Sequence, residues 1–533
     1  MRRREVVFSI ITGVLFGFFI VAGKRLDEVL SLDLLDGMFY AQWTFCAILC
    51  GVSIAFVWKR MGRRNRGHLS LPQKAEMILQ KASGKWAVPI LLLLWLPAWL
   101  SIFPGVFAYD AYDEWQQICS GQLTAHHPVL HVLFAGGLVE FFGSVFSNYN
   151  AGIATCTAIQ MILLAMTLAY TIRFLEEQGI SVVGRFFALL FYGLSPVVQL
   201  FAICTTKDTL YAAAMLLFMI SIFRLCKEGE AFWAKRSRVV MFVLSSLGTM
   251  IMRNNGKYIV LIMFVVAFIV YKTMWKKMLP YCALVVGLYW VYVGPFYYVL
   301  GVQAGGVEEM LSVPLQQIAR VYNYEENAFS EEELNYLYEL VPQECWESYR
   351  STVSDFVKRG FDEEVFRKDP AKFLRLWAKI GIEHPLTYAN SFLVNTVDFW
   401  YPFAVVDGYQ DVYEKSSLFD YRVSEPGTEV VYLPWLHDAY ERLSHDMDLQ
   451  RLPGMFLLTS PGWYLAICVF VLMTVWKRRQ YRDLMVLCPV ILNFLTVLLG
   501  PIALVRYVLV LYMIVPIYPT LLRYYPERNE VVE

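Results

Sequence analysis

Long apolar runs separated by short charged intervals recur along the 533 residues, so that whole segments are hydrophobic, and not just one face of each. A helix needs roughly 20 such residues to cross about 30 Å of hydrocarbon. Twelve runs approach that pattern, at about 6–23, 38–58, 87–103, 151–172, 186–204, 208–224, 239–252, 258–271, 279–299, 456–476, 484–500 and 504–522. The chain therefore reads as an all-α polytopic membrane protein with about 12 transmembrane helices. The first run follows Met1-Arg2-Arg3-Arg4 and is succeeded by Lys24-Arg25 with no small-residue cleavage site, which predicts a retained anchor.

Basic residues orient these spans, because Lys and Arg near helix ends prefer the cytoplasmic side. Alternating the twelve runs places 27 of the 46 basic residues in cytoplasmic segments, six in short outer loops and 13 in the stretch 300–452. Both termini are then expected in the cytoplasm. A further apolar stretch, Val129 to Phe146, is interrupted by Gly136-Gly137 and Glu140. Counting it as a span would move the basic clusters at 224–238 and 272–277 outside, so it is expected as a helix lying in the outer interface.

The stretch 300–452 carries 27 acidic residues against 13 basic ones and is expected to form a mainly helical extracytoplasmic insert. Ser330 before Glu331, Glu332 and Glu333 is a capping-box signature, and Pro370 to Ile382 has helical periodicity with Phe373, Leu374, Trp377 and Ile380 on one side. Trp400-Tyr401-Pro402 and Tyr432-Leu433-Pro434-Trp435 predict aromatic loops near the membrane interface. Four regions follow: an anchor and basic loop at 1–85, a core at 86–299 with an external loop at 104–150, the insert at 300–452, and the last helices at 453–533.

Composition narrows the function. With 57% hydrophobic and 17% charged residues, a water-soluble enzyme is excluded. Lys plus Arg equals Asp plus Glu at 46 each, which leaves no dominating basic field for nucleic acid. The ten cysteines form no C-x-x-C pair and read as apolar filler. Cys119 and Cys345 fall together on the oxidising side, which leaves a bond between them open.

Chemistry concentrates in the loop Phe103 to His131, which holds no Lys or Arg. A helix starting near Tyr109 would put Asp110, Asp113, Glu114 and Gln117 on one stripe by i, i+3, i+4 and i+7 spacing. Carboxylates that close raise one another's pKa unless a cation or metal compensates, although an acidic outer loop can simply be a solvated face. His126, His127 and His131 follow; His127 and His131 have the i, i+4 spacing of a helical metal pair, yet no Glu follows His127 as in H-E-x-x-H, and contact with a phosphate or carboxylate is the better reading. The second constellation is cationic. Lys207 in TTKD, Arg253 and Lys257 in RNNGK, and Arg506 near the last span all break the positive-inside trend. Each could snorkel or pair locally, Lys207 with Asp208 for instance, but cations converging from three separate loops point to an anion site.

The order DE, a Gly-containing spacer, then HPxL before an interfacial helix resembles the membrane-embedded C-type glycosyltransferase (GT-C) superfamily. More closely, FPGVFAYD, HHPVLH, TTKD, MRNNG, SVPLQQIARV and the late Arg506-Tyr507 resemble an uncharacterised bacterial family labelled domain of unknown function 6020, from about Trp86 to Tyr524. The resemblance implies a GT-C-like bundle in a bacterial plasma membrane. It further implies inverting transfer of a sugar from a polyprenyl-phosphate donor to a glycan, lipid or protein acceptor on the extracytoplasmic face. Under it, Asp110, with Asp113 as second choice and Glu114 beside both, would be the catalytic acid; His127, Lys207, Arg253, Lys257 and Arg506 would bind the donor phosphate; and His126, His131, Gln117, Asn254 and Tyr507 would complete the pocket. Some relatives use a divalent metal, and crowded carboxylates would suit Mg or Mn. No Walker A or dinucleotide glycine motif is present for a nucleotide sugar, in keeping with a lipid-linked donor.

Two other classes compete. A transporter or flippase of a lipid-linked glycan would carry mid-bilayer charge and repeat symmetry, neither of which the chain displays. A structural or receptor protein would make Asp110 dispensable.

Overall fold

The computed structural model describes residues 3–63, 72–405 and 420–523. Residues 64–71 of the basic loop and 524–528, both counted as cytoplasmic above, lie outside the described residues. Helix makes up 77% of the described residues, which contain isolated bridges but no strand.

The apolar runs become helices because a backbone in hydrocarbon can satisfy its own polar groups only within such a segment. The first part of the chain forms α1 (Arg3–Val29), α2 (Gly37–Arg63), α3 (Gln73–Ala82), α4 (Ala87–Ser101), α5 (Ala111–Ser120), α6 (Val129–Phe146), α7 (Tyr149–Glu177), α8 (Val182–Leu194), α9 (Pro196–Ala202) and α10 (Lys207–Glu228). Next come α11 (Arg236–Met252), α12 (Gly256–Val270) and α13 (Trp275–Val291). The insert contributes α14 (Ser312–Tyr324), α15 (Glu331–Leu340), α16 (Pro370–Glu383) and α17 (Pro385–Trp400), and the chain returns through α18 (Pro461–Lys477) and α19 (Tyr481–Val497).

Every one of the twelve expected runs falls on helix, but twelve full spans are not what the helices amount to. Among the described residues seven are long and apolar enough to cross a membrane, counting Lys272–Val299 around α13 and a last stretch Val505–Leu522, or nine if the bent pairs α3–α4 (72°) and α8–α9 (60°) each count once. Helices α12 and α18 are apolar but shorter. The sequence pattern sees hydrophobicity and misses that Pro196 breaks the run 186–204. Among the seven is α6, which topology counting had set aside as interfacial. It qualifies by length and composition alone, and it packs on α5 and α7, with Ala135 and Val139 against Ile153 and Cys156. The protein is thus a multi-pass, all-helical membrane protein.

Close helix approach relies on small residues. A Cβ added at Gly13 would lie 2.4 Å from the Ala47 carbonyl oxygen, so α1 and α2 meet backbone to backbone, as helices do where lipid gives no hydrophobic drive. The insert has its own core, built on Leu315, Ile318, Leu337, Trp346 and Phe373. The capping box at Ser330 forms as expected. In α16, Phe373, Leu376 and Ile380 are buried with Trp377 packed beside them, whereas Leu374 is 48% exposed, one residue off the buried stripe. Helix α17, read from sequence as part of the insert, packs against α1 and α18. Trp400 at its end stacks on Phe18 at 5.9 Å.

Candidate functional site

The loop after α4 is threaded between two other segments of chain. Val106 N–H donates to the Ile203 carbonyl at 3.0 Å and Thr205 N–H to Val106 at 2.9 Å, while on the other side Phe107 N–H reaches Arg422 at 3.2 Å and Ser424 N–H reaches Phe107 at 2.8 Å. Gly105 makes this passage possible. Its φ is +126°, and a Cβ there would sit 2.4 Å from Thr157 Oγ1. The register against residues 203–205 carries Asp110 to the start of α10, where Thr206 is the N-cap and Lys207 the first helical residue.

Asp110 ends that loop and begins α5. Its carboxylate is ion-paired with Lys207 Nζ and takes Arg506 Nη1 at 3.1 Å, with Arg506 Nη2 3.5 Å from its other oxygen. His127 Nδ1 lies 3.8 Å from Asp110 and 3.0 Å from Lys207 Nζ. An ammonium can only donate, so Nδ1 accepts and the ring proton sits on Nε2. Behind this group Asp208, fully buried, takes Arg253 at 3.2 Å and lies 3.7 Å from Arg506. Lys207 therefore pairs with Asp110, and its sequence neighbour Asp208 serves the two arginines. Tyr507 lies between the guanidiniums, 4.3 Å from Arg253 and 5.1 Å from Arg506, and Arg506 also covers Tyr109 at 4.3 Å.

These side chains line one cavity of about 450 Å³, within the usual size range of small-molecule sites. Asp110, His126, His127, Lys207, Arg253, Asn254, Arg506 and Tyr507, all singled out from sequence, lie on its wall. Asn255, Thr496 and Pro501 add to it from the bundle, and Glu309 and Asp355 from the insert. Both of those acids bind Lys358, at 3.0 Å and 2.9 Å. Ser354 N–H donates to the Pro501 carbonyl at 2.9 Å, so the insert is pinned to the rim.

Other expected members stand elsewhere. The acidic stripe does not form, because α5 begins at Ala111 and its side chains diverge. Asp113 is exposed; Glu114 is buried against His131, Oε2 to Nδ1 2.5 Å; Gln117 accepts the Thr124 N–H at 2.9 Å. Lys257 is off the cavity wall, over the Tyr258 ring at 5.1 Å. Cys119 and Cys345 are unbonded: the first donates to Glu140 at 3.4 Å and the second packs against the insert core.

Burial alone would raise the Asp110 carboxyl, but the charges of Arg506 and Lys207, with His127, outweigh it and hold the group well below the usual carboxylate range. His127 is pushed down to about 3 by burial and by Lys207, so it is neutral at ordinary pH. Asp113 is raised, by partial desolvation and by the nearby Asp110 charge. This donor set does not fit Mg or Mn, which want several uncommitted oxygens; Asp110 is committed to two cations and Glu114 to a histidine. The histidines do not converge on a zinc position either, His127 facing Lys207 and His131 facing Glu114.

Sequence reading missed Asp208, Glu309 and Asp355 as neighbours of the site. Asp208 was in view only as a local partner for Lys207, and the two acids of the insert are indistinguishable by sequence among its 27 acidic residues.

A family model described as a family of unknown function (DUF6020) matches residues 119–531. No curated protein and no solved structure matches the chain.

Proposed function

This chain belongs to the family of unknown function DUF6020, and from that premise we propose that it is a membrane glycosyltransferase of the GT-C type, moving a sugar from a polyprenyl-phosphate donor to an extracytoplasmic acceptor. The observation that carries the reading is Asp110 on a cavity wall between Lys207 and Arg506, with Arg253 and neutral His127 beside it. A carboxylate next to clustered cations suits a reaction that needs a base and releases a phosphate.

In this reading Asp110 takes the proton of the acceptor hydroxyl or amine as that atom bonds to the anomeric carbon. The bond from the anomeric carbon to the phosphate oxygen breaks, and its electrons leave with the carrier phosphate. Lys207, Arg253 and Arg506 stabilise the charge that builds there, and His127 donates from Nε2. The step balances: the proton that the acceptor gives up is held by Asp110, while the carrier phosphate leaves as a phosphomonoester with one more negative charge than the phosphodiester donor.

The helix ends opposite the cavity carry Arg185, Arg224, Arg238 and Arg478, which supports an outward-facing site and cytoplasmic termini. The test is carrier-phosphate release from a panel of polyprenyl-phosphate sugars by purified wild type and Asp110→Asn. Release by wild type alone is expected; equal release by both removes Asp110 from the chemistry.

A further inference from the structure

Three cations serve two carboxylates in this cavity, and the carboxylates differ in one respect. Asp208 has no exposed side-chain surface, whereas about a quarter (26%) of the Asp110 side chain is accessible. Asp208 is fixed by the first turn of α10 and reaches arginines from two other elements, Arg253 at the end of α11 and Arg506 in the turn Val505–Val508. Asp208 thus anchors Arg253 at 3.2 Å and backs Arg506 at 3.7 Å, so that Arg506 would keep a carboxylate if Asp110 were displaced; a guanidinium buried without one is costly. Asp110, by contrast, sits on the cavity side of Lys207 and Arg506 and receives a lysine and both terminal nitrogens of an arginine. Phosphate oxygens use the same donor geometry.

We propose that the Asp110 carboxylate is an exchangeable occupant of the anion site. A ligand phosphate displaces it from Lys207 and Arg506, while Asp208 stays as the positioning residue that keeps both arginines aimed at the cavity. This rests on the glycosyltransferase reading and deepens it. Held by two cations, Asp110 is a poor proton acceptor; once the phosphate has taken those cations, the carboxylate regains its basicity beside the bound donor. The base is thus switched on by the substrate it serves, and an empty site has little capacity to activate water.

Two acids within reach of one arginine are then expected to respond with opposite sign. If each were merely a negative charge near an anion, neutralising either would tighten phosphate binding. If Asp110 competes and Asp208 positions, Asp110→Asn tightens binding and Asp208→Asn weakens it.

The experiment measures binding of farnesyl phosphate to the full-length protein in nanodiscs by native mass spectrometry, with farnesol as the phosphate-free probe. Expected are a wild-type preference for farnesyl phosphate, about tenfold tighter binding by Asp110→Asn, and about tenfold weaker binding by Asp208→Asn, roughly one charged contact in each direction. Should Asp208→Asn fail to insert, Asp208→Glu, which keeps the charge but moves it by one methylene, carries the same expectation of weaker binding. A wild type that binds both probes equally overturns the phosphate reading and this proposal together. Preference for the phosphate with unchanged or weaker binding by Asp110→Asn overturns the displacement alone. Equal tightening by both variants overturns the positioning role of Asp208.

Discussion

At the end of the bundle opposite the cavity, Glu177 takes Arg224 at 2.7 Å and Arg238 at 3.4 Å, and Glu176 takes Arg185 at 2.6 Å. Other cations there are held by main-chain and amide oxygens. Arg523 donates to the carbonyls of Gln178 and Gly179, Arg478 to that of Leu522, and Lys227 to the Gln178 side chain. At the cavity end the cations likewise lean on aromatic faces, as Arg224 does over Tyr170 at the far end, but they share two carboxylates along an open wall. Ion pairing by itself does not mark a site, then. What marks the cavity end is that its paired cations line a volume that a ligand can fill.

Substitutions at the two ends sharpen that contrast. The largest effect is expected from Asp110→Asn, a loss of transfer of about a thousandfold with normal membrane insertion, since general-base catalysis supplies about 10²–10⁴. Carrier-phosphate release measures it. Next, Arg506→Gln should cut farnesyl phosphate affinity by ten- to a hundredfold, roughly the worth of a charge-assisted contact, read by the same native mass spectrometry. At the far end, Glu177→Ala should leave phosphate binding alone and cost roughly 2 kcal/mol of stability, because Arg224 stays buried with one partner fewer; thermal melting in detergent checks it, and any loss of binding would blur the distinction between the ends.

Stability also responds to pH. The folded His127 pKa of about 3 lies below the ordinary 6.5, so between those values the unfolded chain holds a proton that the folded one does not. Stability should therefore fall as pH drops through that window, by up to about 1.4 kcal/mol per unit, and His127→Gln should flatten the slope of melting temperature between pH 7 and 5. The depressed Asp110 pKa acts in the same direction, its contribution being lost only as pH falls below 3.8 towards the folded value. Smallest of all, Lys257→Gln, off the wall, should change phosphate affinity less than twofold.

Much of this arrangement was legible in the sequence. Apolar runs announced most helices of the bundle, though not α3 or α17, and Lys207, Arg253 and Arg506 stood out because they sit at helix ends where positive charge is disfavoured. What stayed hidden depends on three-dimensional pairing. Spacing placed Asp110 and Glu114 on one face, but only the packing of α5 on α6 sends Glu114 inward to His131 and leaves Asp110 at the cavity. Likewise α17 shares the composition of the insert, with Asn390, Asn395 and Asp398 along it, and these buried polar groups lie on a helix that packs on α14 of the insert and on α1 and α18 of the bundle, a placement periodicity alone could not give.

The pinning of the insert to the last loop has a practical consequence for anyone building hybrids between members of the family. Ser354 bonds Pro501, and Val353 bridges Ile502, only a few residues from Arg506. A transplanted insert that arrives without its matching 499–507 segment would meet a foreign seam at the cavity rim. Chimeras that exchange both pieces together should assemble where single swaps do not.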